Sequence, residues 1–375
     1  MSTYIDIHII QNLPPSCVNR DDSGSPKSAV YGGVRRLRVS SQSWKRAARL
    51  YFNNLLDADD VGVRTKRVVE VLASTIAKDA PELVENAAAL AEGVFKAAKI
   101  KLSPPRGKKD GPQESGYLLF LSTSQIARLA DLAIASAHSG ETLDAKAVKK
   151  IFKEEHAVDI ALFGRMVADD TDLNVDAACQ VAHAISTHAA ENEYDFFTAV
   201  DDEKNRSEEE DAGAGMMGTV EFSSATMYRY ATVNLDMLVE NLGDGGAALR
   251  ALEVFIKGFC LSMPSGKQNT FANRTLPETI VISIRDDQPI SLVGAFEKPV
   301  PEASGTGYAD RSVGELARYA ETIEKNYGLR PLSSFVVALK DSDAVSSLGE
   351  RVPFADLPGR VRQVVDPRVG REERV

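Results

Sequence analysis

The 375-residue sequence predicts an α+β protein whose sheet follows a ferredoxin-like βαββαβ order, broken after its first helix by a large helical insertion. Three observations lead there. Strand-type alternation stands near both ends of the chain, at Tyr4–Ile9 and at Thr279–Ile284, with two helix-type segments between. From about Asp60 to Thr187 the pattern turns helical and Ala-rich. Beyond it, Phe196–Val200 and Gly218–Phe222 read as the arms of a long β-hairpin.

Each element has a local reason. Tyr4-Ile5-Asp6-Ile7-His8-Ile9 alternates with period two, unlike the basic-then-apolar order of a signal peptide. After a long loop, Val34–Ser40 reads as a strand with Leu37 and Val39 on one face and Arg36, Arg38 and Ser40 on the other, so one face is cationic. Gly32-Gly33 just before it lets a backbone come close. Ser40-Ser41-Gln42-Ser43 supplies N-cap hydroxyls for a helix that packs Trp44, Ala47, Ala48 and Tyr51 inward and leaves Lys45 and Arg49 as exposed i, i+4 neighbours. Val68–Ala77 and Ser124–Ala137 are helices of the insertion, interrupted by a Pro/Gly/Lys loop near 103–116. The hairpin tip, Asp201–Gly215, is acidic and Gly-containing. A strand over Thr226–Val233, a helix near 246–262, the strand at 279–284 and a helix around Ser312–Asn326 follow, before a charged, Pro-punctuated tail from Arg351.

Composition bounds the function classes. The chain is 43% hydrophobic and 26% charged, which excludes a disordered chain, and its length suits two to three domains or one domain with large insertions. Three cysteines without a CxxC pair fit a reducing compartment and exclude a Cys-only zinc site; we expect a cytoplasmic protein. No apolar run reaches the ~18–20 residues a bilayer requires. The formal charge of −10 argues against a polyanionic partner until its distribution is considered. Ser23–Leu56 holds Lys27, Arg35, Arg36, Arg38, Lys45, Arg46 and Arg49 and no acid, +7 in 34 residues, against −17 for the rest. A helix N-terminus with Ser and Gln side chains beside such a row forms an anion site suited to phosphates. A second stripe, Lys146, Lys149, Lys150 and Lys153, shares one helical face, although a solubilising surface has the same pattern. A third cluster, Lys96, Lys99, Lys101, Arg106, Lys108 and Lys109, runs into a Pro/Gly loop.

Several catalytic patterns fail on inspection. Asp170-Thr171-Asp172-Leu173-Asn174 opens like a calcium loop, but Val175 and Val181 replace its Gly and Glu. Ser265-Gly266-Lys267 ends like a P-loop, but Leu261 and Gln268 replace the upstream Gly and the Ser/Thr. His183 and His188, five apart, do not form a helical metal pair, and core or capping roles are the simpler reading. Asp21 and Asp22 are the remaining acid pair, suited either to a metal beside a phosphate or to an Asx-type turn into Gly24.

One resemblance covers most of the chain. Ser16-Cys17-Val18-Asn19-Arg20-Asp21-Asp22 and Gly32 through Ala47, followed in order by Asp159–Met166, Ala182–His188, Phe196–Asp202, Glu221–Ser224 and Ala295–Lys298, closely resemble the Cas7 (Cse4/CasC) family, the backbone subunit of the type I-E CRISPR Cascade complex. The resemblance implies an RRM-like palm (1–58 and 224–375, the second part with C-terminal helices), helical fingers (59–190) and a β-hairpin thumb (191–223). It implies polymerisation along a guide RNA (crRNA), with nucleotides displaced at regular intervals. Partners would be that RNA, a target DNA strand, further copies of the chain, Cas5, Cas6 and the large and small subunits.

Carried onto matching positions, Arg20, Lys27, Ser40, Gln42, Lys45, Arg46, Arg49, Lys267 and Gln268 are expected to contact RNA. Phe197 and Thr198, with Met166, resemble the wedge between bases, and Lys146, Lys149, Lys150 and Lys153 fall where the family faces target DNA. No cofactor, metal or catalytic residue is expected. No RNP1-type aromatic motif appears, so loops, helix terminus and thumb would grip the guide. The alternative is a metal-dependent endonuclease using Asp21 or Asp22, as in type III backbone subunits; a protein-interaction module with incidental basic patches is a third reading.

Overall fold

A ten-stranded sheet runs through the protein, its strands drawn from both ends of the chain. The computed structural model describes residues 2–57, 60–105, 111–199 and 216–369. The strands are β1 (Tyr4–Ser16), β2 (Ser28–Tyr31), β3 (Val34–Val39), β4 (Cys179–Val181), β5 (Ala184–Ser186), β6 (Glu193–Ala199), β7 (Met216–Asn234), β8 (Thr279–Arg285), β9 (Ser333–Ala338) and β10 (Glu350–Arg351). Across the sheet they run β10-β9-β8-β1-β7-β5-β3-β2, with β4 and β6 also paired to β7. β1 is antiparallel to both neighbours: Ile7 faces Ala231 on one side and Ile282 on the other.

The helices that cover the sheet include α1 (Ser41–Phe52), α2 (Gly245–Leu261), α3 (Tyr308–Tyr327) and α4 (Leu357–Val365). Ile5, Ile7 and Ile9 of β1 pack against Trp44 and Phe52 of α1, Phe255 and Phe259 of α2, and Leu357 and Val361 of α4. On the opposite face Ile10, Tyr228 and Val281 pack against Val313 and Leu316 of α3. With both faces of its middle strands buried, the sheet has no open platform there on which bases could stack. A nucleic-acid partner must therefore use loops, helix ends and edges, consistent with the missing aromatic motif.

The insertion builds its own core from four helices, Val68–Asp79, Ala87–Ala97, Thr123–Ser139 and Ala145–Lys153, through Leu72, Phe95, Leu129 and Phe152. Thr123–Ser139 begins with a Ser122/Gln125 capping box and ends at Gly140 in the left-handed region.

Four departures from the sequence reading bear on how the sheet is built. The helical pattern extends to Thr187 only in composition: β4 and β5 already belong to the sheet, where the short Ala184-Ile185-Ser186 run is wholly buried. The stretches at 218–222 and 226–233 are one continuous strand, β7. Its central serine pair does not break it, because Ser223 Oγ donates to the Glu191 carbonyl (3.0 Å) and Thr226 N–H donates to His188 Nε2 (3.1 Å). The charged tail contains α4, in which Pro358 is tolerated in the first turn and Val361 and Val365 face the core. Finally, Arg36 is fully buried instead of joining a cationic face. Its guanidinium donates to the carbonyls of Tyr31 (3.2 Å), Ser186 (2.9 Å), Phe296 (2.8 Å) and Glu297 (3.3 Å). The close approach expected at Gly32 is part of the same knot: its φ is +61°, and a Cβ there would overlap the Glu297 carbonyl.

Candidate nucleic-acid interface

The interface is organised by α1. Ser40 caps it, its side chain accepting from Ser43 N–H (3.3 Å), while its own N–H is held by Asn19 Oδ1 (2.8 Å). Its rotation is set by Trp44, whose ring lies 3.6 Å from the guanidinium carbon of Arg229 on β7. Burial pulls that arginine down to about 9, and its Nη1 donates to Gln11 Oε1 at 2.5 Å. With Trp44 and Ala48 locked inward, helical spacing turns Gln42, Lys45, Arg46 and Arg49 onto one outward stripe.

That stripe forms one wall of a groove of about 540 Å³. The opposing wall comes from the insertion and includes Arg64, Phe120, Phe163, Arg165, Met166 and Asn174. Four RNA-contact candidates from α1 are thus brought together with Met166, which is 79% exposed. Lys45 Nζ stands 5.6 Å from the centre of the Phe163 ring and the Arg49 guanidinium 5.2 Å from that of Phe120, so aromatic faces hold both cations in place. Arg165 is buried, donates to the carbonyls of Leu173 (2.9 Å) and Phe152 (2.5 Å), and is pulled down to about 10 by burial, which makes it a strut of the wall.

The other candidates gather at the loop before β2. Asn19 accepts the N–H of Lys27 (2.9 Å). Burial pushes the Cys17 thiol up while Lys267 and Arg20 act against it, so these two cations share one locality. Arg38 lies 2.9 Å from His183 Nδ1, and both Arg38 and Lys27 add to the burial that lowers this histidine. Gln268 is exposed on the far side of α1, in a second groove.

Asp21 is committed to a turn: its Oδ1 accepts from Ser23 N (2.9 Å), Ser23 Oγ (2.7 Å) and Ser25 N (3.0 Å), and the Ser23 hydroxyl leads the bonds that hold its carboxyl below the usual range. Asp22 is exposed. His188 stacks on Tyr308 (3.7 Å between centroids), away from His183 and its Arg38 partner. Among the described residues no three His, Cys, Asp or Glu side chains converge on a position fit for a metal ion.

The hairpin separates two residues that the sequence reading grouped. Phe197 faces Gly218 and Thr198 faces Met217 across the β6/β7 ladder, so the two side chains leave on opposite faces. Thr198 shares its face with Phe196 and Tyr194, exposed by 64% and 68%, whereas Phe197 is half-buried. The lysine stripe is also divided. Lys149 is half-buried in an ion pair with Asp170, while Lys146, Lys150 and Lys153 are exposed and Lys150 lies 3.8 Å from Glu154. The acidic hairpin tip at 201–215 and the basic positions Arg106, Lys108 and Lys109 lie outside the described residues.

Sequence reasoning gave no role to Arg64, Phe120 or Phe163: Arg64 and Phe120 lie in no motif and reach the groove because the strand Gly62–Thr65 pairs with Leu119–Ser122, while Phe163 sits within the Asp159–Met166 signature at the end of the helix Val158–Phe163. It also missed Asp159, a buried carboxylate at the joint between insertion and sheet. Its Oδ1 accepts Gly62 N–H (2.9 Å), Oδ2 has no partner among the described residues, and burial pushes the carboxyl up to about 6 against the pull of Gly62 and Arg49. A folded-state value above the unfolded 3.8 means the folded chain keeps a proton that the unfolded chain releases. This residue's contribution therefore falls as pH rises from about 4 to 6. Asp159→Asn is expected to match wild type most closely at about pH 4 and below. It should gain on wild type by about 1.4 kcal/mol per pH unit up to pH 6, to a plateau of at most about 3 kcal/mol. Urea unfolding of both proteins across this range measures it; a constant difference contradicts the assignment.

Fold and interface define an α+β protein that offers a row of cations, amides and hydroxyls to an extended anionic ligand. The chain belongs to the CT1975-like protein family, a Cas family whose profile matches residues 5–357. It is similar to a chain of a solved "CRISPR RNA-guided surveillance complex, pre-nicking", with 37% identity and a TM-score of 0.85 over 96% of this chain and 99% of that one. It is also similar to a chain of a second "CRISPR RNA-guided surveillance complex", with 30% identity and a TM-score of 0.73 over 97% and 99%. No curated protein sequence matches it. The expected resemblance thus holds at the level of a Cas7-like protein.

Proposed function

We propose that this chain is the guide-RNA-binding backbone subunit of a type I-E CRISPR surveillance complex, the Cse4/CasC form of Cas7, acting in the cytoplasm as a scaffold without catalysis of its own. The carrying observation is the groove in which Gln42, Lys45, Arg46 and Arg49 stand opposite Met166. Phosphates of a single strand would follow the α1 stripe and the Arg20/Lys267 locality, while bases meet the apolar tips of fingers and thumb. In this reading the sheet with α1 and α2 is the RRM-like palm, the insertion the fingers and the β6/β7 hairpin the thumb. Thr198, beside Phe196 and Tyr194, is the better-placed wedge residue, with Phe197 supporting the ladder from behind. Copies would line up along the guide, with Cas5, Cas6 and the large and small subunits at their flanks. Lys146, Lys150 and Lys153 would face the target DNA strand.

Coexpression with a repeat-spacer array is the direct test. The purified protein is expected to carry a discrete short RNA whose length follows the spacer. Protein purified free of nucleic acid, with a low 260/280 nm absorbance ratio, supports the interaction-module reading instead. Metal-dependent cleavage of a paired RNA target, lost in Asp22→Ala, would support the nuclease; the turn role of Asp21 favours the scaffold.

A further inference from the structure

We propose that the second groove beside α1 is a nucleobase site that takes one extruded base of the bound strand. The proposal rests on the RNA-binding reading above and goes beyond it by assigning a separate pocket and the chemistry it recognises. Residues 47, 50, 51 and 54 line one wall of this groove of about 540 Å³. At 100° per residue that stripe lies roughly 140° around the helix from Gln42, Lys45, Arg46 and Arg49. The opposite wall is the segment after α2: Ser262, Met263, Pro264, Gln268, Asn269 and Asn273 among others.

The lining differs in kind from the cationic groove. It contains four side-chain amides (Asn54, Gln268, Asn269 and Asn273), no carboxylate and one guanidinium, Arg274. Asn273 and Ser262 are 2% and 4% exposed, yet Asn273 Nδ2 and Ser262 Oγ have no hydrogen-bond partner among the described residues. Buried polar atoms left unpaired are rare because desolvating them is unfavourable, so both side chains would gain by turning toward a ligand's polar edge in the groove that their residues line. An amide offers a donor and an acceptor side by side, the pattern that base edges present. Leu50, Tyr51, Met263 and Pro264 supply the apolar faces that a planar ring requires.

The wall is held rigidly. Gly266 lies so close to the Val18 carbonyl that a Cβ would overlap it. Thr275 is tied by its hydroxyl to the Asn12 carbonyl (2.6 Å) and through its own carbonyl to Gln11 Nε2 (2.9 Å). An isolated phosphate would want more cations than this groove has. A strand whose phosphates follow the cationic stripe needs to reach over only one helix, roughly 10 Å wide, to place a base here. Because amides pair with any base edge, the site tolerates all four bases, as a subunit that carries guides of arbitrary sequence must.

Photocrosslinking of the protein to single-stranded RNA carrying 5-iodouridine, read by mass spectrometry, tests this. Adducts are expected on Tyr51 or Met263. Leu50→Trp, at a half-exposed position that should leave folding intact, fills the groove. It is expected to remove those adducts and weaken RNA binding about tenfold, leaving the salt dependence unchanged because no phosphate contact is touched. RNA that is bound with steep salt dependence but crosslinks only elsewhere, or an unchanged affinity of Leu50→Trp, overturns the base site and leaves the RNA-binding reading standing. Failure to bind RNA at low salt overturns both.

Discussion

The double substitution Lys45→Glu with Arg46→Glu is expected to abolish retention of single-stranded RNA at physiological salt while leaving folding intact. Neither side chain belongs to the core: Arg46 is exposed, and Lys45 lies half-exposed against the Phe163 ring. Trp44 and Ala48, which seat α1 on the sheet, are untouched. Two charge-assisted contacts at roughly 1.5 kcal/mol each correspond to about a 150-fold loss of affinity, before the repulsion introduced by two carboxylates. At low salt, where residual binding is measurable, the slope of log affinity against log salt should fall by about 1.4, since each single-strand phosphate contributes about 0.7. A filter-binding series from 50 to 300 mM salt measures both. An unchanged slope would remove α1 from the RNA path. Arg49 is deliberately spared, because it packs on Phe120 and acts on Asp159, so its loss would mix stability with binding.

The next largest effect falls on stability and comes from the same basic run. Arg36→Ala strips the donor from four carbonyls contributed by three segments, around Tyr31, Ser186 and Phe296-Glu297. Leaving those acceptors buried and unmet should destabilise the fold by on the order of 4 kcal/mol. Arg35→Ala, one residue away and paired with Glu191 only at 4.0 Å on an exposed surface, should stay within about 0.5 kcal/mol. Urea midpoints of the two variants decide the matter. If Arg36→Ala unfolded like wild type but bound RNA with a lower salt slope, Arg36 would be a phosphate contact and its buried placement wrong.

Both expectations separate a charge row into parts with different physics. A cation whose donors meet backbone carbonyls holds distant segments together; one that faces a groove beside an aromatic ring remains available to a polyanion. Covered sheet faces make the distinction matter, since they leave α1, the loop before β2 and the hairpin as the places where a strand can run.

Much of this was legible in the residues alone. The N-cap serine, the inward Trp44 and Ala48, and the outward stripe at 42, 45, 46 and 49 follow from helical period and cap chemistry, which are local properties. The first strand, the central strand at 279–284, the helical insertion and the ordered family signature were likewise readable along the chain, whereas the short strands at 179–186, the strand at 333–338 and the helix at 357–365 were not. Tertiary structure alone decided which members of the basic run face outward, that β7 continues through its serine pair, and that Phe197 and Thr198 leave on opposite faces in register with Gly218 and Met217. It also paired Lys149 with Asp170 and aligned two buried, unpartnered polar atoms along one groove. The physical reason is common to all of them. Periodicity records which side of an element is apolar, whereas the fate of a polar group depends on which donors, acceptors and charges converge on it from distant positions, as Phe296 does on Arg36 from 260 residues away.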